Sequence, residues 1–531
     1  MAEAAPEIPV WRKFAVVPKP AASVEQHPTL IAGGSLVGLT IALDFALKGH
    51  RVVVLNRLDF VPAGSKAICY AKRTLEILDR LGVGEVMVEK GVVWEKGKVF
   101  WGDSEEPIYQ YDLLPVKNQK MPAFINLQQY HAETILAEAL SAMPNAEIRW
   151  GHALTAVEQQ GDTVHVEVET ADGPYSIETD WLLACDGSRS TVRDLMGLEF
   201  EGRVFEDNFL IADIRMEGER PSERWFWFDP PFNRGQSALF HKQPDNVWRL
   251  DFQLGWDIDR EESVRDENVE PYIRAMLGEG VPFEKEWYSL YTFQCRRMAR
   301  FVHGRVIFAG DAAHLVSPFG ARGFNGGVAD ADNLVWKLDL ILRGEADPSL
   351  LESYNAEATT IADENILNST RSTDFMTPKS LASRALRDAV LELARDHPFA
   401  RPFVNSGRLS TAVSYPASAL NTPDEDEGWA GVAPGSPAID GPLGEGWLLN
   451  RLGNEFVLLT SGTGVGTIPG LTAIDIGADT LLSERYDFRP GSACLVRPDQ
   501  YIVARWRSPT ASKVVAALAW AKGGVHVHAQ H

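Results

Sequence analysis

A chain of 531 residues, 45% of them hydrophobic and 23% charged, is too long for one small binding module. No tract in it is long or apolar enough to span a bilayer, so composition predicts a globular protein of several domains, outside the membrane. Its 51 Lys and Arg stand against 73 Asp and Glu, a formal charge of −22, which argues against nucleic acid as a partner because counterion release needs clustered basic residues.

Cys69, Cys185, Cys295 and Cys494 form no C-x-x-C pair. That disfavours a zinc ribbon, a dithiol redox site and a disulfide framework, and fits a reducing cytoplasm. The first 19 residues lack a signal-peptide core, so neither export nor anchoring is expected. Residues 1–28 carry Pro6, Pro9, Pro18, Pro20 and Pro28, which predicts an extended arm that lies on the surface or is partly disordered. Residues 29–32 read as an apolar strand, Gly33-Gly34-Ser35 as a turn, and Leu36–Leu47 as a helix that Gly49 stops. A second apolar strand over 51–55 completes a βαβ unit, expected parallel and right-handed. Alternation over 164–169 and the Asp172-Gly173 turn predict antiparallel strands between 150 and 184. Residues 208–291 are strand-rich and aromatic, with Trp225, Phe226, Trp227, Phe228, Phe240, Trp248, Phe252 and Trp256, and read as a separate sheet layer. Helical spacing returns over 327–342 and 350–397. The run Asp424-Glu425-Asp426-Glu427 marks a linker, and residues from about 431 onward read as an α/β tail.

Three motifs describe one elongated ligand. In Gly33-Gly34-Ser35-Leu36-Val37-Gly38, glycines permit a tight turn and close helix packing, and the helix start faces phosphates. Ser35 stands where a glycine is usual, and Asn56, followed by Arg57, where an acidic residue would hold a ribose hydroxyl. After the apolar run 181–184, Cys185-Asp186-Gly187-Ser188-Arg189-Ser190-Thr191-Val192-Arg193 sets a carboxylate and two arginines at a strand's C-terminal edge; read only structurally, it is a turn with Ser190 as helix N-cap. The third motif runs from Gly304 through Gly310-Asp311 and His314 to Ser317-Pro318-Phe319-Gly320-Ala321-Arg322-Gly323-Phe324-Asn325. There a strand-end carboxylate can bond a polyol, and a glycine-rich loop feeds a helix start whose free N–H groups favour negative charge.

These motifs, with the run from Asp330 to Leu338, make the chain resemble the FAD-dependent aromatic hydroxylases, group A flavoprotein monooxygenases of the para-hydroxybenzoate hydroxylase-like family. The resemblance implies an α/β fold: a Rossmann-like FAD-binding domain over 29–200 and 301–400, with an inserted, mainly antiparallel β-sheet substrate domain over 201–300. After a linker over 401–430, residues 431–531 resemble the thioredoxin-like domain of the phenol hydroxylase and 3-(3-hydroxyphenyl)propionate hydroxylase branch, without a redox cysteine pair. It implies FAD held by Gly33, Gly34, Ser35, Leu36, Val37, Gly38, Asn56, Arg57, Lys66, Gln129, Asp186, Gly310, Asp311, Pro318, Gly320, Gly323, Phe324 and Asn325. Lys66 stands where the family commonly has Arg.

The family's chemistry, carried over, is reduction of FAD by a transiently docked NADH or NADPH, reaction with O₂ to a flavin C4a-hydroperoxide, and hydroxylation of a small aromatic substrate. An electron-rich ring is needed, so a base or cation near a phenol is expected. On strand Val247–Leu254, Arg249 shares a face with Asp251 and Gln253 and could bind an anionic group or face solvent. Trp225 and Trp227 could wall a pocket or pack a core; His314 could titrate near the flavin or be structural. Tyr291 and His241 are further catalytic candidates, and a homodimer is an expected assembly. Two other readings stay open: the same fold performing epoxidation or Baeyer–Villiger insertion on a polyketide-like substrate, and a non-catalytic scaffold whose FAD site is weakened at Ser35 and Asn56.

Overall fold

The computed structural model describes residues 9–64, 67–113, 116–218, 220–255, 257–405, 410–426, 428–462 and 465–524. Its first sheet grows from the predicted βαβ unit. The helix Leu36–Leu47 is apolar almost all round and buries ten residues, so it lies inside the domain rather than on its surface. Val24–Ala32 sits parallel between Val52–Asn56 and Tyr175–Ala184, and Ala146–Trp150 and Val306–Phe308 extend the parallel set on either side. The alternating segment forms the antiparallel strands Ala153–Gln160 and Thr163–Glu169, with Val164, Val166 and Val168 turned inward.

The opening strand begins at Val24, five residues before the sequence pattern places it, and runs through Pro28. Proline is tolerated because Val52–Asn56 pairs only with Leu30 to Ala32, so at Pro28 one side of the strand has no partner to lose. Upstream, Val10–Lys13 pairs with Phe60–Pro62, and Phe14 stacks on Trp150 at 4.2 Å. Over 10–14 the arm is therefore packed onto the domain.

The second sheet has eight strands, in the order His314–Leu315, Glu284–Arg297, Glu201–Arg215, Val247–Leu254, Ser237–Lys242, Arg224–Phe228, Lys96–Trp101, Tyr109–Asp112. All neighbours are antiparallel except Arg224–Phe228 and Lys96–Trp101. The stretch 201–300 supplies the middle of this sheet; 96–112 and 314–315 are recruited from the flanking domain. One face carries Trp248, Leu250 and Phe252 and is covered by the helix Asp266–Leu277 through Val269 and Ile273. The other face turns toward the first domain.

The tail builds a four-stranded sheet, Thr472–Asp475, Val457–Thr460, Ala493–Val496 and Ile502–Trp506, with the helices Leu481–Arg485 and Ala511–Ala521. Two long helices, Gly323–Leu342 and Leu351–Met376, lie between the domains. Helical character after 350 breaks at Thr377-Pro378 and resumes at Leu381–Asp396, where Ser380 and Ser383 form a capping box. Among the described residues no helix is long and apolar enough to cross a membrane.

Candidate functional site

The three motifs meet at the C-terminal ends of the parallel strands. Gly33 has φ +112°, and a Cβ there would lie 2.3 Å from the Cys185 carbonyl oxygen; a Cβ at Gly38 would lie 1.9 Å from the Gly33 oxygen. Glycine is thus demanded at both positions by backbone packing. Gly34 faces the Asn56 side chain, where a Cβ would meet Asn56 Cβ at 3.0 Å. Ser35 caps the helix without a side-chain hydrogen bond. Val37 touches both later glycines: a Cβ at Gly310 would lie 2.9 Å from Val37 Cγ2, and one at Gly327 2.5 Å. Leu36 is buried beneath the turn, whereas Arg57 is exposed.

Asp186 is partly covered. Val192 N–H donates to its Oδ2 at 3.0 Å, and its Oδ1 is buried without a hydrogen-bond partner. Burial raises the carboxyl pKa, against hydrogen bonds from Ser190 and the backbone that lower it. Ser190 is the helix N-cap, accepting from Arg193 N–H. Arg193 donates to Ala312 O at 3.2 Å and Ser188 O at 3.0 Å, which ties the second motif to the third.

The strand Val306–Phe308 gives way to a 3₁₀ turn at Gly310–Ala312, and Asp311 on that turn is exposed. Next come the loop through Pro318 and Gly320 and then Ala321, a non-glycine residue at φ +54°; such conformations concentrate at functional sites. The helix begins at Gly323, earlier than Asn325. Its first intrahelical bond runs from Gly326 N–H to Arg322 O, so the N–H groups of Gly323, Phe324 and Asn325 precede the ladder. The Asn325 side chain is committed: its Oδ1 accepts from Ala71 N–H and its Nδ2 donates to Cys69 O, both at 2.9 Å. Gln129 opens its own helix, accepting from Ala67 N–H at 3.3 Å and donating to Glu133 at 2.8 Å. Lys66 lies outside the described residues.

His314 is structural in its contacts. Its Nε2 lies 2.7 Å from Asp330 Oδ2, which also accepts from Gly310 N–H at 2.9 Å. Burial opposes the imidazolium, but the Asp330 carboxylate, with Asp311 farther off, outweighs it and raises the His314 pKa above 6.5. A raised histidine stabilises most below its unfolded value and loses that contribution as pH rises through the folded one. Thermal midpoints of the wild type are therefore expected to fall as pH climbs from about 6.5, and His314→Asn to flatten that slope; equal slopes in melts at stepped pH would refute the assignment.

The catalytic candidates converge on the second sheet's inner face. Arg224 is the register partner of His241, His241 of Arg249, and Arg249 of Asp213. All four are buried. Arg249 is thus neither solvent-facing nor free: its Nε and Nη2 donate to Asp213 Oδ1 and Oδ2 at 2.8 and 2.7 Å. His241 Nε2 lies 3.3 Å from Asp251 Oδ2, and burial, then the Arg224 charge, push its pKa down to about 4. Arg224 reaches Cys69 Sγ at 3.5 Å. Because Cys69 and Ala71 hold Asn325, this polar row abuts the strand that braces the helix start.

Tyr291 sits farther along the inner side, packed with Phe319, its pKa raised by burial and then by Asp311. Trp225 and Trp227 point the other way. Trp225 packs on Phe240 at 5.8 Å, and Phe240 stacks on Trp248 at 4.7 Å, so the core reading of these tryptophans holds. Arg224, Asp213 and Trp94 were not singled out by sequence, nor Cys69 as a site residue; strand register places Arg224 and Asp213 in this row, while Cys69 and Trp94 reach it from outside the sheet.

The sequence profile described as an FAD binding domain matches residues 26–369. The chain belongs to this family and is an FAD-dependent monooxygenase. It is 34% identical over 378 residues, 69% of this chain and 73% of the relative, to a 12-dehydrotetracycline 5-monooxygenase/anhydrotetracycline 6-monooxygenase of Streptomyces rimosus. With a probable NADH-specific resorcinol 4-hydroxylase of Rhodococcus jostii it shares 28% identity over 535 residues, covering 94% and 97% of the two chains. The crystal structure of the flavin-dependent monooxygenase PieE with FAD and substrate superposes with a TM-score of 0.81 at 22% identity, covering 94% of this chain and 99% of that one, which shows a common fold. The residues present fit FAD: a glycine cradle that a Cβ would fill, an unpartnered buried Asp186 oxygen, and helix-start N–H groups that precede the hydrogen-bond ladder.

Proposed function

We propose that the protein hydroxylates a phenolic or related aromatic compound, with O₂ as co-substrate and NADH or NADPH as reductant. The observation that carries this reading is the contact between the braced helix start at Asn325 and the buried polar row of the substrate sheet, through Cys69. When bound, FAD supplies the redox chemistry that activates O₂.

The chain's own residues bind, orient and exclude water. The turn Gly33 to Gly38 would hold the pyrophosphate at the start of Leu36–Leu47, with Asn56 and Arg57 at the adenosine end. Asp186, Asp311 and Gln129 would accept from or donate to the polyol chain. Pro318, Gly320, Gly323 and the N–H groups of Phe324 and Asn325 would border the ring end, where helix-start dipoles favour negative charge. The substrate sheet closes over that end and removes the ring to be oxidised from water.

The test is a purified protein titrated with FAD, then assayed for NADH and NADPH consumption with phenols while peroxide is measured. A bound-flavin spectrum and a product gaining one oxygen atom as a ring hydroxyl are expected. Asp311→Ala should weaken FAD about 10-fold or more, the range for a lost charge-assisted hydrogen bond. No flavin uptake, or reductant spent wholly on peroxide with every phenol, would sink the reading; an epoxide or inserted ester would move it to the alternative oxygenations.

A further inference from the structure

We infer that Arg224 and His241, with Asp251 behind them, form the site that binds and ionises the substrate's phenol hydroxyl. This rests on the aromatic-hydroxylase reading and names the residues that activate the ring.

Arg224 is 4% exposed, yet its one hydrogen bond goes to a thiol sulfur at 3.5 Å. Its Nε has no partner. The rings of Phe226 and Trp94 lie 4.9 and 5.5 Å from its guanidinium carbon, and among the described residues no carboxylate pairs with it. A buried guanidinium without an oxygen acceptor is costly, because five donors and a full charge have left water for sulfur and ring faces. Arg249, two strands away, shows the satisfied case with both Asp213 oxygens. Arg224 is therefore the cation of this face left to hold an oxygen that the protein does not supply.

His241 stands directly across from it. Neither ring nitrogen makes a hydrogen bond, and the imidazole is neutral, so it offers a lone pair. Asp251 Oδ2 is 3.3 Å from Nε2, and with a side chain 16% exposed it is the least buried member of the group. Cys69 is not the acceptor, since its thiol donates to Asn126 Oδ1 at 3.2 Å and burial raises its pKa. The Arg249–Asp213 pair is neutral overall.

The step balances without a redox partner. The phenol O–H bond breaks, its proton goes to a ring nitrogen of His241, and the imidazolium passes a proton to Asp251. The oxygen keeps the electron pair as a phenolate held by Arg224 and enriches the ring for electrophilic attack. A neutral imidazole poised this way contributes on the order of 10²–10⁴-fold in rate.

The probe is 4-nitrophenol, whose phenolate is coloured, added to FAD-loaded protein below the probe's own pKa and read by difference spectroscopy. Wild type is expected to show bound phenolate. Arg224→Met should weaken binding at least about 10-fold and leave any bound probe neutral, and Arg224→Lys should recover part of the signal. His241→Gln should bind the probe with little change but lower kcat about 100-fold for phenols the wild type turns over, splitting kcat from KM. 4-Nitroanisole, lacking the proton, should bind poorly, and benzoate should not displace the phenol. The proposal is overturned if bound 4-nitrophenol stays neutral, if Arg224→Met ionises it like wild type, if benzoate takes the site (which would make Arg224 a carboxylate anchor), or if flavin-loaded protein binds no phenol. The flavin spectrum of the same samples reports separately on the parent reading.

Discussion

Gly33→Ala is expected to purify without flavin and to melt well below the wild type. The backbone at Gly33 has φ +112°, a region that costs an L residue about 1–3 kcal/mol before any contact is considered. Contact makes it worse: the new Cβ would sit 2.3 Å from the oxygen and 2.5 Å from the carbon of Cys185, and 2.8 Å from Asp186 Cα. These are backbone atoms just past the end of the central strand Tyr175–Ala184, so they cannot swing aside like a side chain, and the parallel pairing of Ala32 with Ala184 must open. Movement there displaces Asp186 and the Gly33–Gly38 turn together. Gly187→Ala is the control, because Gly187 also has positive φ, +86°, but no atom lies within 4 Å of its would-be Cβ. It should cost only the backbone conformation's own about 1–3 kcal/mol, with no clash added, and keep most of its flavin. The ratio of flavin to protein absorbance after gel filtration reads both variants; equal, full flavin content in both would show that the turn does not border the cofactor.

Features readable in the sequence share one property: they are local. Gly33 to Gly38, Asp186-Gly187 and Gly310-Asp311 each announce a turn at a strand end, and alternation shows that Arg249, Asp251 and Gln253 lie on one face. Alternation does not say what covers that face. In this sheet both sides are buried, one by Val269 and Ile273 and the other by the first domain, so the rule that strand charges face solvent fails for Arg249. In Arg224-Trp225-Phe226-Trp227-Phe228 the aromatics hid the cation, and the two tryptophans, the natural candidates for a pocket wall, occupy the face away from it. Arg224 becomes visible only through its register with His241, a contact set by a hairpin rather than a motif. Residues 96–112 were missed as part of this sheet for a related reason: their partner, Arg224–Phe228, lies more than a hundred residues away in the chain.

Glu357→Ala is expected to loosen the tail domain and destabilise the protein by about 3–5 kcal/mol, the cost of breaking a buried ion pair from one side. Glu357, 2% exposed, accepts from Lys337 at 2.8 Å, from Asn333 at 2.7 Å, and from Arg497 at 2.7 and 3.2 Å. Its removal strands two buried cations, of which only Arg497 keeps another carboxylate, Asp499. Desolvation opposes the charged form, but Arg497 and Lys337 overcome it and hold the carboxyl pKa far below its usual 4.5. The contribution is therefore present above about 4.5 and lost as pH falls. The effect should reach the cofactor. Arg497 and Asp499 belong to the tail, Asp499 O and Gln500 accept from Arg73, and Arg73 also donates to Asp332 on the helix that begins at Gly323. Arg73 lies two residues beyond the strand Cys69–Ala71 that holds Asn325. A tail without redox cysteines thus acts as a clamp on the helix start, and Glu357→Ala should lower the melting midpoint by about 3–5 °C and weaken FAD retention with it. Glu357→Gln, which keeps an acceptor, should lose less. A Glu357→Ala protein that melts within a degree of wild type would show that the clamp carries no energy.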